Sequence, residues 1–250
     1  MRNLLDIKLF SQPFESDHNQ ETQLDNGKLI AGMYARMENS ISVLSDMKAR
    51  KSYIYYAPVA DELGLLKRET EINSIWEDEL LNKIHPDDLL KKYRLEFQFF
   101  QMLNMMPVDE RVNFELITRL RIKNKNEQYI ALKHRLLYIG NAIDGSIWLA
   151  LCLYNLIPDH PDFVIPQGMI LNTKTGDIID QHENRFNTIL SAREKEIMQL
   201  ISIGKRSKEI AKKLDLSINT INRHRQNIFA KLNVTSVIEA CRIAANTEII

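Results

Sequence analysis

Hydrophobic and polar positions along this chain change rhythm after residue 157. Before it, residues 41–44 and 53–56 are short apolar or aromatic runs. Residues 113–122 (NFELITRLRI) alternate apolar with polar positions, the period of a half-buried strand. Residues 128–139 and 147–156 are longer runs rich in β-forming side chains. Helical spacing intervenes at residues 75–83 and 87–105, where Asp87 behind Pro86 marks a helix start. Residues 1–37 form an N-terminal segment expected to be helical or partly disordered. Pro158, Pro161 and Pro166 punctuate the end of this half, and Asn172 to Asp177 read as the turn of a small hairpin within a linker over residues 158–187.

From residue 180 onward the pattern is helical. Ser191-Ala-Arg-Glu194 is a capping box, Ile197, Leu200 and Ile201 follow at helical spacing, and Gly204 stands where a helix would end. A second helix is expected from about Ser207, with Ile210, Ala211 and Leu214 as its apolar face. After the short break Asp215-Leu-Ser217, Ser217 is placed to cap a third helix through Leu232, with Asn233 in a left-handed ending position. A fourth helix is expected from Ser236 through Ala245. On a wheel at about 100° per residue, Ile218, Ile221, Ile228, Phe229 and Leu232 gather on the packing side of the third helix. Asn219, Asn222, Arg223, Gln226 and Ala230 form the opposite stripe. Arginine, asparagine and glutamine carry the donor–acceptor forks that match guanine and adenine edges. Helix, tight turn, helix is the geometry that presents one helix to a DNA major groove.

Charge sharpens this picture. The chain has 33 basic and 33 acidic residues. From Thr188 onward, however, there are 11 basic and 6 acidic residues, and no acid stands between Asp215 and Glu239. A carboxylate there would repel phosphate. Cys152 and Cys241 are isolated thiols that suggest neither a disulfide framework nor a zinc site and fit a reducing compartment. The N-terminus carries Asp6 and Lys8 where a secretion signal would be apolar, and the longest apolar run, from Ile147 to Tyr154, is short of a membrane span. A cytoplasmic protein without a membrane partner is expected.

Residues 190–245 resemble the LuxR-type helix-turn-helix family along their whole length. The resemblance is carried by Arg193-Glu194, Gly204, the Lys208–Ala211 run, Leu214, Ser217 with Thr220-Ile221, His224, Asn227-Ile228 and Lys231-Leu232. Asn233 stands where the family has glycine, and Arg206 stands near where it has a polar cap for the second helix. The resemblance implies base reading by Asn222, Arg223 and Gln226, the stripe that the wheel identifies on its own. It implies phosphate contacts by Lys208, Thr220, Arg225 and Lys231 that fix register. His224 and Arg225 lie on the flanks, where packing against the first helix or touching a phosphate is at least as good a reading as base contact. A homodimer on a two-fold symmetric site is also implied, with Val237, Ile238, Cys241 and Ala244 as a face that could equally be core.

Two short strands, a helical middle and three longer strands give the order of a PAS sensor domain, which residues 38–157 resemble. The resemblance rests on Ser52 to Gly64 and on the His85-Pro-Asp-Asp88 entry to a long helix. The expected fold class is therefore α+β: a PAS-like antiparallel sheet with helices, then an all-α four-helix domain over residues 188–250. His85-Pro-Asp-Asp88 reads as a turn with helix-capping carboxylates, not as a metal site. His134, on a strand, reads as a surface or satisfied histidine. Met102, Met105 and Met106 with Phe97, Phe99 and Phe100 read as core or interface filler. No cofactor is expected, and the small molecule, if any, that the PAS-like domain takes is unnamed by the sequence. The acidic pair of a phosphoacceptor receiver is missing, and no nucleophile–base pair or phosphate-cradling glycine loop is visible. The expectation is a non-enzymatic DNA-binding transcription regulator answering to a small-molecule or protein signal. A quorum-sensing-type regulator and an interaction adaptor without DNA binding are the alternatives.

Overall fold

A computed structural model describes residues 2–15, 19–65, 68, 70–158, 168–179, 190–232 and 234–246. The chain divides into two compact units, Met1–Ile179 and Asp180–Ile250.

The first unit is built on an eight-stranded antiparallel sheet: β1 (Ile41–Asp46), β2 (Lys51–Tyr55), β3 (Glu71–Ile72), β4 (Phe114–Lys123), β5 (Tyr129–Asn141), β6 (Ile147–Leu156), β7 (Gly168–Asn172) and β8 (Ile178–Ile179). The strands lie in the order β3-β2-β1-β6-β5-β4-β7-β8. The two short strands and three longer strands expected from the sequence are β1, β2, β4, β5 and β6, and they lie side by side in the order β2-β1-β6-β5-β4. Two helices cover the sheet. On β6, Leu149, Leu151 and Leu153 join Leu44 and Ala31 in one core cluster. Ala31 belongs to α2 (Gln20–Glu38). The alternate residues, Ala150, Cys152 and Tyr154, point to the opposite face, as the two-residue period of a strand requires. There they meet α5 (Pro86–Asn104), whose Phe97, Phe99, Phe100 and Leu103 are buried. Phe99 stacks on Tyr138 of β5 at a centroid separation of 5.5 Å.

The N-terminal segment is ordered on this sheet as α1 (Arg2–Phe10) and α2. Gly27, Ala31 and Ala35 form the buried stripe of α2. A Cβ on Gly27 would stand 3.2 Å from Leu44, so the small residue permits the close approach. The hairpin expected within the 158–187 segment forms from β7 and β8, and it extends the sheet. β7 pairs with β4, with Leu116 opposite Ile170, and β8 pairs with β7. The expected helix over residues 75–83 shrinks to α4 (Asp78–Leu81), and α3 (Val59–Glu62) precedes it.

The start of α5 differs in detail from the sequence reading. The cap is His85, whose Nδ1 accepts from the Asp87 amide at 3.3 Å with Pro86 in the first turn. Asp88 instead receives the Arg121 backbone amide at 2.8 Å and its guanidinium at 2.8 and 2.9 Å, tying α5 to β4. That guanidinium holds the Asp88 carboxyl below its usual range. His134 is neither at the surface nor satisfied: it is fully buried, and both ring nitrogens are without hydrogen-bond partners. Burial, with the Lys92 charge nearby, holds it well below the ordinary histidine value, so it is neutral.

The second unit contains α6 (Ala192–Ser202), α7 (Ser207–Leu214), α8 (Ile218–Lys231) and α9 (Val237–Asn246). The capping box at its start is formed: the Glu194 amide donates to Ser191 Oγ at 3.3 Å, and the Ser191 amide donates to Glu194 Oε2 at 2.7 Å. Gly204, at φ +83°, ends α6 in the left-handed region that glycine enters freely. The Lys205 amide reaches the Leu200 carbonyl at 3.0 Å and the Gly204 amide reaches Ile201 at 2.9 Å, a Schellman closure. Ile197, Met198, Ile201, Ile210, Ile221, Ile228, Leu232, Ala240, Ile243 and Ala244 form the buried core of this unit.

Arg193 and Glu194 hold the other helices. Arg193 donates to the Leu214 carbonyl at the end of α7 at 3.1 Å. The Glu194 carboxylate, 4% exposed, accepts from Lys231 Nζ at the end of α8 at 2.6 Å. Burial alone would raise the Glu194 carboxyl, but Lys231 and the Ser191 amide outweigh it and hold it below its usual value. Because the folded value is depressed, the stabilisation is complete above the unfolded carboxyl value of about 4.3 and is lost as pH falls through the folded value.

Two outcomes are expected. Glu194→Gln should weaken the α6–α8 tie by about 1–3 kcal/mol, seen as faster amide hydrogen exchange in α8 at neutral pH. The difference from the unsubstituted chain should shrink below about pH 4. In the first unit, Lys92 donates to Glu96 at 2.6 Å with both side chains buried. Lys92→Met alone should cost about 3–5 kcal/mol in urea unfolding, and Lys92→Met with Glu96→Leu should cost clearly less.

Candidate nucleic-acid interface

α7 and α8 are joined by the short turn Asp215-Leu-Ser217. Arg206 precedes α7, and its amide is satisfied by Glu209 Oε2 at 2.8 Å. Asp215 turns the chain out of α7 in the left-handed conformation at φ 52°, with the Leu216 amide closing back on the Ala211 carbonyl at 3.0 Å. An aspartate tolerates this region better than most residues. Ser217 then starts α8, its Oγ accepting from the Thr220 amide at 3.0 Å. Each end of the turn therefore has a local chemical cause. The Asn233 ending position lies outside the described residues.

The two sides of α8 separate as a helix of this pattern must. Ile221 and Ile228 are fully buried within it, and Leu232, just past its end, is buried too. Phe229 is half-buried, whereas Ile218, expected in the packing face, is 45% exposed. Ile218 occupies the first helical position, directly after the Ser217 cap. Opposite the core, Asn219, Asn222, Arg223, Gln226 and Ala230 are all exposed. The three side chains expected to read bases thus share one free face. Lys208 on α7 is exposed, and Lys212, one turn further on, is exposed as well. Lys212 was not among the expected contacts, although its i+4 spacing from Lys208 could have indicated it.

The remaining expected phosphate contacts are less free. Thr220 is half-buried, with Oγ1 2.8 Å from Ser217 Oγ. Arg225 is half-buried, as is His224, whose Nδ1 has no hydrogen-bond partner. Lys231 Nζ is engaged by Glu194, so that lysine, 40% exposed, ties α8 to α6. The expected dimer face on α9 also divides. Ala244 is fully buried in the domain core and offers nothing to a partner. Val237 and Cys241 are half-buried, and Ile238 is 81% exposed.

Residues 188–244 match the family of bacterial regulatory proteins of the luxR type (GerE). An uncharacterized response regulatory protein, YgeK, of Escherichia coli (strain K12) is 53% identical over 55 residues, covering 22% of this chain and 37% of that protein. The monoamine regulon transcriptional regulator of Klebsiella aerogenes is 41% identical over 59 residues, covering 24% of this chain and 26% of the relative. The chain therefore spans well under half the length of these two curated relatives. Among solved structures, a phage VqmA–DPO complex covers 93% of this chain and 92% of its own, at 12% identity and a TM-score of 0.33. Escherichia coli SdiA covers 100% and 98%, at 17% identity and a TM-score of 0.29. At residues 188–244 this chain carries a helix-turn-helix domain of the luxR family of bacterial regulatory proteins.

Proposed function

We propose that the chain is a sequence-specific DNA-binding transcription regulator in which α8 enters the major groove and the PAS-like unit is the control domain. The observation that carries this reading is the exposed stripe of Asn222, Arg223 and Gln226 on a helix presented by a tight turn. No acidic residue lies between Asp215 and Glu239 to oppose the phosphates. Asn222, Arg223 and Gln226 supply the forks for base edges. Lys208, with Lys212 beside it, fixes the register on phosphate. Thr220 and Arg225, at the edge of the face, reach phosphate once the helix is seated. Lys231 keeps its structural tie to Glu194.

A dimer on a two-fold site follows if Ile238 and its half-buried neighbours Val237 and Cys241 meet a second copy. The control domain spans residues 38–157 with the α1–α2 segment and the β7–β8 hairpin packed on it, and it answers to a small-molecule or protein signal. No catalytic step is assigned to the chain. The place of action is the cytoplasm, where bacterial DNA lies.

In mobility-shift titrations with duplex DNA, affinity should fall steeply with salt. Arg223→Ala should lose discrimination of about 1–3 kcal/mol at one base pair while the fold persists. Lys208→Ala should instead weaken binding to all sequences evenly and lower the salt slope by about one. An unchanged sequence profile for Arg223→Ala would remove the base-reading assignment. Ile238→Asp should leave the domain folded, since the side chain is 81% exposed, and shift sedimentation toward monomer. A dimer unaffected by that change would place the interface elsewhere.

A further inference from the structure

Between the sheet and α5, the first unit buries charges that its surface does not require. Glu77, Lys92 and Glu96 are 6%, 1% and 3% exposed. Lys92 is engaged by Glu96 at 2.6 Å. Tyr154, fully buried, donates its hydroxyl to Glu77, and its ring lies 4.8 Å from that of the neutral His134. Among the described residues Glu77 takes part in no ion pair. Glu77 and Glu96 therefore both lie near the Lys92 ammonium, which hydrogen-bonds only Glu96 of the two. A buried charge of this kind is retained when something of opposite sign meets it. Glu96 Oε2, also buried, has no hydrogen-bond partner.

Glu77 and Trp76 form the wall between two spaces. On the inner side is a void of about 30 Å³ bordered by Lys92, Glu96 and Cys152. On the outer side is a cavity of about 610 Å³, lined by Ile41, Ile54, Tyr56, Leu65 and Ile72. That volume is in the range of small-molecule sites, and beside the apolar residues the lining carries three carboxylates, Glu77, Asp78 and Glu79, and one ammonium, Lys83. The other charges at its edge are mostly committed. Asp78 pairs with Arg2 at 2.5 Å, and Lys83 lies 3.9 Å from Glu127. Trp76 is held by Asp6 of α1, which accepts from Nε1 at 2.7 Å.

We propose that this cavity takes a small organic cation, an ammonium or amidinium group on an apolar or aromatic body, with its charge seated on Glu77. This rests on reading the first unit as the control domain. An anion would meet Glu77 with Asp78 and Glu79 beside it. A neutral apolar molecule would fill the lining but bring no cation to Glu77, whose nearby ammonium, Lys92, is hydrogen-bonded to Glu96. An organic cation satisfies both, and the Tyr154 hydroxyl holds the carboxylate in place to receive it.

The test uses the full chain and three matched probes: 2-phenylethylammonium, 2-phenylethanol and phenylacetate. Binding is followed by ligand-detected nuclear magnetic resonance with competition titrations. The ammonium should bind at least about tenfold more tightly than the alcohol, equivalent to about 1.4 kcal/mol, and phenylacetate should bind weakest. Glu77→Gln should abolish the preference for the cation. Ile72→Trp, which fills the cavity from its partly exposed edge, should abolish binding and carries the test if Glu77→Gln does not fold. Equal affinity for ammonium and alcohol, preference for phenylacetate, no binding by any probe, or a cation preference that survives Glu77→Gln would each overturn the proposal. A mobility shift on the same preparation keeps the two readings apart. DNA binding without a cation preference overturns this inference alone, whereas loss of DNA binding by the unsubstituted chain overturns the reading beneath it.

Discussion

The second unit depends on what Glu194 does at the start of α6. One carboxylate satisfies the Ser191 amide that opens the helix and receives the Lys231 ammonium from the far end of α8. Its neighbour Arg193 closes on the Leu214 carbonyl at the end of α7. Two adjacent side chains thereby tie three helices together, away from the exposed stripe of α8. The Glu194 carboxylate is buried while the Lys231 ammonium reaches it from the half-exposed end of α8, so these ties lie apart from the stripe that α8 displays. The outer face of α8 is free to carry asparagine, arginine and glutamine, which contribute nothing to the core.

The same division explains what the sequence discloses. The helices of the second unit could be bounded from it because each boundary has a local cause: Ser191 with Glu194, Gly204 at φ +83°, and the Ser217 cap. The exposed stripe followed from helical period alone. The role of Lys231 did not, because a basic residue near a DNA-facing helix looks the same whether it meets phosphate or a carboxylate 37 positions away. Ala244 was likewise ambiguous, since a small apolar residue suits a core and an interface equally.

In the first unit the long strands were legible from alternation and β-forming residues, and a helical N-terminal segment was one of the expectations, but the face that α2 buries was not legible. α2 buries Gly27, Ala31 and Ala35, while its large apolar residues Leu29, Met33 and Met37 are 63%, 50% and 78% exposed. Periodicity of large hydrophobic residues therefore points to the wrong face. His134 was misread for a related reason: its neighbours at the core, Glu96 and Tyr154, come from α5 and β6 and no spacing rule links them. Polar groups at the centre of a PAS-like sheet are visible only once the strands are registered. They are also what distinguishes this interior from an ordinary hydrophobic core and gives the first unit a chemistry of its own.

The account turns on whether the stripe of α8 reads base pairs. Selection of bound duplexes from a random pool by the full chain, beside a variant with Asn222, Arg223 and Gln226 all changed to alanine, tests this most directly. The account predicts an enriched motif with two-fold symmetry for the unsubstituted chain and its loss in the variant, with residual salt-dependent binding retained. No enrichment by the unsubstituted chain, or the same motif from both, would contradict it.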